Sequence, residues 1–167
     1  ATALAKKWKM KLVKKELIVN EIKENYALAG KILSTRDHLQ QTLGAVNIAI
    51  ARFAHAQKIH TLMVGSGADE LFCGYATFEN VQENAEECEM LRKKKVNEVE
   101  AHDVRREKMC AEHFGITLCA PYLDAAFQQE AMKIPAIENL KGKYGKLRKN
   151  GLRVLAEKIG LPLNVVR

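Results

Sequence analysis

Apolar positions recur along most of the chain at spacings near 3.6, the period of a helix with one buried face. Leu17, Ile18, Ile22, Tyr26, Ala29 and Leu33 predict an amphipathic helix over 17–33. Leu39, Leu43, Val46, Ile50 and Phe53 predict a second helix over 38–57 with those five side chains on one face, and residues 34–37 offer its cap candidates. An acidic stretch from Thr77 to Arg92 carries Phe78, Val81, Ala85, Cys88 and Leu91 as its stripe. Lys93, Lys94 and Lys95 are expected to interrupt it as a solubilising turn, with a further helix running to His113 and stopped by Gly115. Pro121 opens a helix bearing Leu123, Phe127, Ala131 and Ile134, which Pro135 ends. The last helix is expected over 146–158, before Gly160. Residues 1–9 read as a helix tail and 11–17 as a strand or loop.

The period breaks at His60–Val64, a short apolar run that stops at glycine, as a buried parallel strand does. Ile116–Leu118 is a second short strand. Gly65, Ser66 and Gly67 make a turn, and 68–72 reopen a helix ending near Gly74. This strand–glycine–helix unit argues for a helix-rich α/β fold rather than a bundle.

Composition narrows the class. At 167 residues and 47% apolar content, one ordinary domain is expected, not a disordered chain. No apolar run approaches the ~20 residues of a membrane span, and charge fills the first residues where a secretory signal needs an apolar stretch. The four cysteines, Cys73, Cys88, Cys110 and Cys119, make no Cys-x-x-Cys pair, which weighs against a zinc ribbon or disulfide framework and fits a reducing cytoplasm. Cys73 and Cys119 read as small buried apolar residues, Trp8 and Met10 as packing residues, and the five histidines lack metal spacing. The net charge of +7 is local: residues 141–167 hold eight cations against Glu157, while 1–140 hold 19 charges of each sign. Such a cluster suits a polyphosphate, a nucleic-acid backbone or plain solvation. Tyr144 is its one aromatic, which weighs against single-strand binding.

The glycine turn is the chemically loaded segment. Glycines after a strand let backbone approach a ligand, and a helix N-terminus favours phosphate. Asp69 and Glu70 in that first turn either cap the helix or hold a hard cation such as Mg2+ beside a polyphosphate.

The longer string Val64-Gly65-Ser66-Gly67-Ala68-Asp69-Glu70-Leu71-Phe72-Cys73-Gly74-Tyr75 resembles the G-x-G-A-D-E-L-F-x-G-Y segment of the asparagine synthetase family, in its ATP-pyrophosphatase half. Further segments follow in the family's order. Residues 120–124, Ala-Pro-Tyr-Leu-Asp, are similar to R-x-P-[FY]-L-D. Lys149 to Arg153, then Leu161-Pro162 and Arg167, resemble K-x-x-L-R … L-P … R-x-K. Arg106-Glu107 stands where the family has Arg-Asp. The resemblance implies a parallel sheet flanked by helices, of the adenine-nucleotide alpha-hydrolase-like, ATP-pyrophosphatase type. It implies ATP-dependent activation of a small carboxylate as an acyl-adenylate, followed by amide formation. Gly65, Ser66, Gly67, Asp69 and Glu70 become the nucleotide-binding residues, Asp69 the Mg2+ ligand, and Lys149 and Arg153 the catalytic cations, with Asp124 structural. Ammonia, or a glutaminase subunit, is the implied nitrogen source, and a homodimer is among the implications.

Departures are equally specific. The family's Ser-Gly-Gly-x-Asp-Ser pyrophosphate loop has no counterpart here, and Ala1 falls within a helix, so residues 1–167 are expected to be the later part of a longer synthetase domain. Arg167 precedes the family's catalytic lysine. Ser66 replaces an acidic residue, and Thr117 and Cys119 replace the Glu and Arg of E-x-R-x-P. These changes motivate a second reading, a catalytically inactive member that acts as a binding or assembly module. A basic RNA-associated helical domain is the third, resting on the charge of 141–167 alone.

Overall fold

The computed structural model describes residues 2–162 and 166. Arg167 therefore lies outside the described residues, as does Ala1. The fold is helix-rich, with helices α1 (Thr2–Lys7), α2 (Val19–Ile32), α3 (His38–Ala56), α4 (Ala68–Leu71), α5 (Ala85–Val99), α6 (Arg105–Glu112), α7 (Ala125–Met132) and α8 (Asn150–Lys158). Two strands, β1 (Thr61–Met63) and β2 (Thr117–Cys119), complete it. The chain divides into two compact units, one of residues 1–14, 67–97 and 122–167, the other of 15–66 and 98–121.

The second unit contains the sheet. β1 and β2 pair in parallel with Thr61 opposite Thr117 and Met63 opposite Cys119, as the connecting helices require. Ile116, Leu62 and Leu118 pack with Ala51, Ala54 and Ala111 of α3 and α6. The expectation of a buried strand needs correction: Thr61 and Met63 are exposed, Met63 at 75%, because among the described residues no third strand or covering layer reaches that side. α2 and α3 pack through small residues. Ala29 meets Gly44, where an added Cβ would come within 2.9 Å of Leu33, so the helices lie close. Asp37 caps α3, accepting from the Gln40 N–H at 2.7 Å.

The face of α3 that periodicity assigns to the core is the solvent face. Leu39, Val46 and Ile50 are half or more exposed, and the buried side is Gly44, Ala45, Ile48, Ala49, Ala51 and Ala54. Two apolar stripes run along this helix, one large and one small; close helix packing selected the small one. Ile18, just before α2, and Ile22 on it are likewise exposed while Ala29 is buried.

In the first unit, Phe78, Cys73 and Cys88 are fully buried with Ala136 and Leu140. Leu71, Phe72 and Ala131 form a neighbouring cluster with Tyr122, Ile134 and Leu152. Three expected boundaries move. The lysine run does not break the helix: α5 continues through Lys93–Lys95 and passes into a wider π turn over Glu100–Val104 before α6. Lysine is a good helix former, so the charges need only a solvent-facing side. Pro121–Leu123 is a separate 3-10 turn, and α7 starts after Asp124, whose carboxylate caps it by accepting from Phe127 N–H at 3.0 Å. The final helix starts at Asn150, not 146, because Arg148 and Lys149 have φ values of 56° and 52° that no right-handed helix tolerates.

All four cysteines are unpaired; Cys73, Cys88 and Cys110 are buried, whereas Cys119 is half-buried rather than buried as expected. Trp8 and Met10 are exposed, not packed. Burial pushes the Cys73 thiol up from 9.0 to about 12 and that of Cys110 to about 11. Unfolded thiols ionise near 9 while these stay protonated, so their contribution is complete below pH 9 and is lost as pH rises toward 11–12. The thermal midpoint should therefore fall steadily above pH 9, and replacing Cys73 and Cys110 by Ala should flatten that slope.

Candidate functional site

The glycine turn is where the chain passes from one unit to the other, between Ser66 and Gly67. In the sheet-bearing unit, Ser66 Oγ donates to Glu107, 2.8 and 2.9 Å from its two carboxylate oxygens. The serine hydroxyl at the position expected to be acidic is thus held by a carboxylate two elements away. No spacing rule connects residues 66 and 107; only the parallel pairing of β1 with β2 after α6 brings them together.

In the other unit, Gly67 caps α4 with φ 97°. An added Cβ would lie 2.6 Å from Leu123, so glycine is required by both backbone and space. α4 is only one turn long, so the expected dipole is small and the side chains dominate. Asp69 and Glu70 diverge. Glu70 is buried and its carboxylate accepts from the Tyr75 hydroxyl. Asp69 is 43% exposed and pairs with the Lys149 ammonium at 2.8 Å. Neither carboxylate caps the helix. The spacing alone leaves capping and cation binding open, and the side chains settle on ion pair and buried acceptor.

Gly74 makes the Asp69–Lys149 pair sterically feasible. A Cβ there would stand 1.9 Å from Asp69 Oδ1 and 2.3 Å from Lys149 Cε, so the pair lies directly over its α-carbon. Gly74→Ala is expected to break the pair and cost about 1–3 kcal/mol through overpacking. A urea titration should show this, with Asp69→Asn shifting the midpoint much less, because an exposed pair contributes at most about 1 kcal/mol.

Lys149 itself sits in the left-handed region at φ 52° and ψ 37°, next to Arg148 at φ 56° and ψ 179°. Such conformations cost about 1–3 kcal/mol per non-glycine residue and persist only where surroundings enforce them. The enforcers are visible. Arg148 Nε donates to the Gly74 carbonyl at 2.8 Å, and its guanidinium pairs with Glu79. Arg153 donates to the carbonyls of Arg148 at 2.9 Å and Leu147 at 3.1 Å, and to that of Val166. Arg148, absent from the expected site, is therefore a central support; its signal was the cation triplet 146, 148, 149 in a segment with two glycines.

Lys149, Arg153, Tyr122 and Leu152 line a cavity of about 370 Å3, closed by aliphatic side chains of α8 and the residues after it. This is the size of a small-ligand pocket, with an apolar wall and a cation at its edge. Among the described residues no cluster of three or more His, Cys, Asp or Glu side chains is placed to hold a metal. Asp69, half exposed, fits the single-carboxylate pattern in which Mg2+ takes its other ligands from water and phosphates.

Comparison with known proteins decides the family. The asparagine synthase family model matches residues 3–102, more than half of the chain. The chain belongs to the asparagine synthase family. It is 28% identical over 137 residues to the protein provisionally named glutamine-hydrolyzing asparagine synthetase 1 of Methanocaldococcus jannaschii, covering 81% of this chain and 25% of that one. It is 30% identical to glutamine-hydrolyzing asparagine synthetase B of Escherichia coli K12, with 62% and 18% covered. It is 32% identical to the asparagine synthetase of Asparagus officinalis, with 60% and 18% covered. The chain thus spans a quarter or less of the length of these asparagine synthetases. Among the described residues no helix is long and apolar enough to cross a membrane.

Proposed function

We propose that residues 1–167 form part of an ATP-dependent synthetase domain that activates a small carboxylate as an acyl-adenylate, releasing pyrophosphate, after which ammonia displaces AMP to give an amide. The observation that carries this reading is the Asp69–Lys149 pair, seated over Gly74 inside the family's glycine string and at the edge of an apolar cavity. An ammonium held by one exposed carboxylate exchanges partners readily. When ATP enters, Lys149 turns from Asp69 to the phosphates and stabilises charge developing on the leaving pyrophosphate. Asp69, released, would hold Mg2+, which supplies charge neutralisation at the phosphates. Gly65, Ser66 and Gly67 would offer their backbone to the nucleotide, and Glu70 ties α4 to the segment that follows it through the Tyr75 hydroxyl. Arg153, whose guanidinium is committed to backbone carbonyls, is a positioning residue for the Arg148–Lys149 turn.

The finer fold in this reading is an adenine-nucleotide alpha-hydrolase-like sheet, of which β1 and β2 are two strands. Ammonia arrives free or from a glutaminase subunit or domain; the setting is cytoplasmic and the assembly a homodimer. The test is exchange of labelled pyrophosphate into ATP by the intact protein, in the presence of candidate carboxylates. Carboxylate-dependent exchange is expected. Stoichiometric Mg2+-ATP binding with no exchange by any acid would instead favour a non-catalytic binding module, the reading motivated by Ser66, Thr117 and Cys119.

A further inference from the structure

A second cavity, of about 310 Å3, lies in the sheet-bearing unit between the 15–17 segment, α2 and α3. It contains none of the residues discussed above for ATP. Leu17 and Phe53 contribute to an apolar wall, and Lys15, Glu21 and Arg52 supply charges at its edge. Asn25 also lines it. This side chain is 98% buried by its 2% exposure, yet its amide oxygen has no hydrogen-bond partner. A buried, unpaired amide is costly and uncommon, and in a native fold it asks for a missing partner. A half-turn of the amide exchanges its oxygen and nitrogen within the same volume, so it can offer either to the cavity.

The charges define the kind of partner. Lys15 is matched by Glu21 at 2.8 Å, and Glu21 also accepts from the Ile18 N–H at 3.0 Å. Arg52 is loosely held: its distance to Glu24 is 3.6 Å, and its guanidinium stands 5.8 Å from the Phe114 ring centre. A guanidinium with a weak partner beside an apolar wall suits a carboxylate, which it can bind through two parallel hydrogen bonds. The orphaned amide oxygen of Asn25 calls for a donor, best met by an ammonium, whose charge the Glu21 carboxylate on the same cavity wall complements. We propose that this cavity binds a free α-amino acid with an aliphatic side chain, its carboxylate on Arg52, its ammonium between Asn25 and Glu21, and its side chain against Leu17 and Phe53. An acidic side chain would be directed into the apolar wall, so aspartate is excluded.

The site stands independently of the proposed ATP chemistry, and its test needs no turnover. The 15N-labelled chain is titrated with L-leucine, and amide shifts are followed at Ala49, Arg52 and Phe53. Saturable shifts with a dissociation constant of about 1 mM or tighter are expected. N-acetyl-leucine, which lacks the ammonium, leucinamide, which lacks the carboxylate, and aspartate should each bind at least about tenfold more weakly. Asn25→Leu removes the orphaned amide, so it should leave the thermal midpoint unchanged or raised while weakening leucine by about tenfold or more. Arg52→Gln should do the same to binding from an exposed position that leaves folding intact. Absence of saturation by leucine, equal binding of N-acetyl-leucine, or unchanged affinity in both variants would overturn the proposal.

Discussion

Lys149→Met in the intact protein is expected to lower carboxylate-dependent pyrophosphate exchange by about a hundredfold or more, the scale on which preorganised cations act at a reacting phosphate. Its effect on folding should be small. Lys149 and Asp69 are 24% and 43% exposed, and a pair so open to solvent contributes at most about 1 kcal/mol. Methionine retains the aliphatic stem that passes over Gly74 and loses only the charge. The diagnostic is therefore a split: exchange collapses while the urea midpoint scarcely moves. Asp69→Asn should lose exchange as well, but raised Mg2+ should recover part of it if Asp69 holds the ion as proposed; Lys149→Met should not respond. Exchange that survives Lys149→Met within a few-fold would remove the ion pair from the mechanism.

The largest stability effect is expected at a residue far from that chemistry. Arg92 is completely buried on α5. Its guanidinium donates to Glu89 at 2.7 and 3.1 Å, to the Ile134 carbonyl at 2.8 Å and to that of Met132 at 3.2 Å. Glu89 in turn accepts from the Ala136 N–H at 3.2 Å. One ion pair thus satisfies the backbone that leaves α7 around Pro135. Arg92→Ala would take the cation from Glu89, leaving it the Ala136 N–H alone, and would remove the donor from two carbonyls at once; it should cost about 3–5 kcal/mol, as breaking a buried pair does. Against a typical total of about 5–15 kcal/mol, that leaves the chain close to unfolding at room temperature. Chemical denaturation of Arg92→Ala beside Lys133→Ala, whose pair with Glu130 is exposed, should show a midpoint shift in the first alone.

Much of the fold was legible from short-range rules. Asp37 and Asp124 cap the helices they precede, Gly115 and Gly160 take the positive φ that ends theirs, and the two short apolar runs pair in parallel. What periodicity could not decide was which of two apolar faces of α3 is buried. Leu39, Val46 and Ile50 carry more hydrophobic area than Ala45, Ala49 and Ala54, yet helix-to-helix distance, set by Gly44 and Ala29, favours the small side chains. Charged residues misled in the opposite sense. Arg92 and Arg106 look like solvated helix charges and are buried, with Arg106 bonded to Gln40 at 3.0 Å and Asp103 at 2.7 Å. At the candidate site the motif located Asp69 and Glu70 but not their separate fates, because Tyr75, Gly74 and Lys149 decide those, and their arrangement depends on where the chain returns eighty residues later.

The left-handed pair Arg148–Lys149 sets two demands that pull against one another. The backbone there is the kind glycine and asparagine adopt with least strain, whereas the ion pair with Asp69 needs an ammonium on a long stem. Variants drawn at position 149 for thermal endurance would therefore drift toward glycine or asparagine, and variants drawn for turnover would return to lysine. Lysine at 149 would then be a measure of what the cation is worth: in the proposed reaction its contribution has to exceed a conformational penalty carried by every molecule that folds.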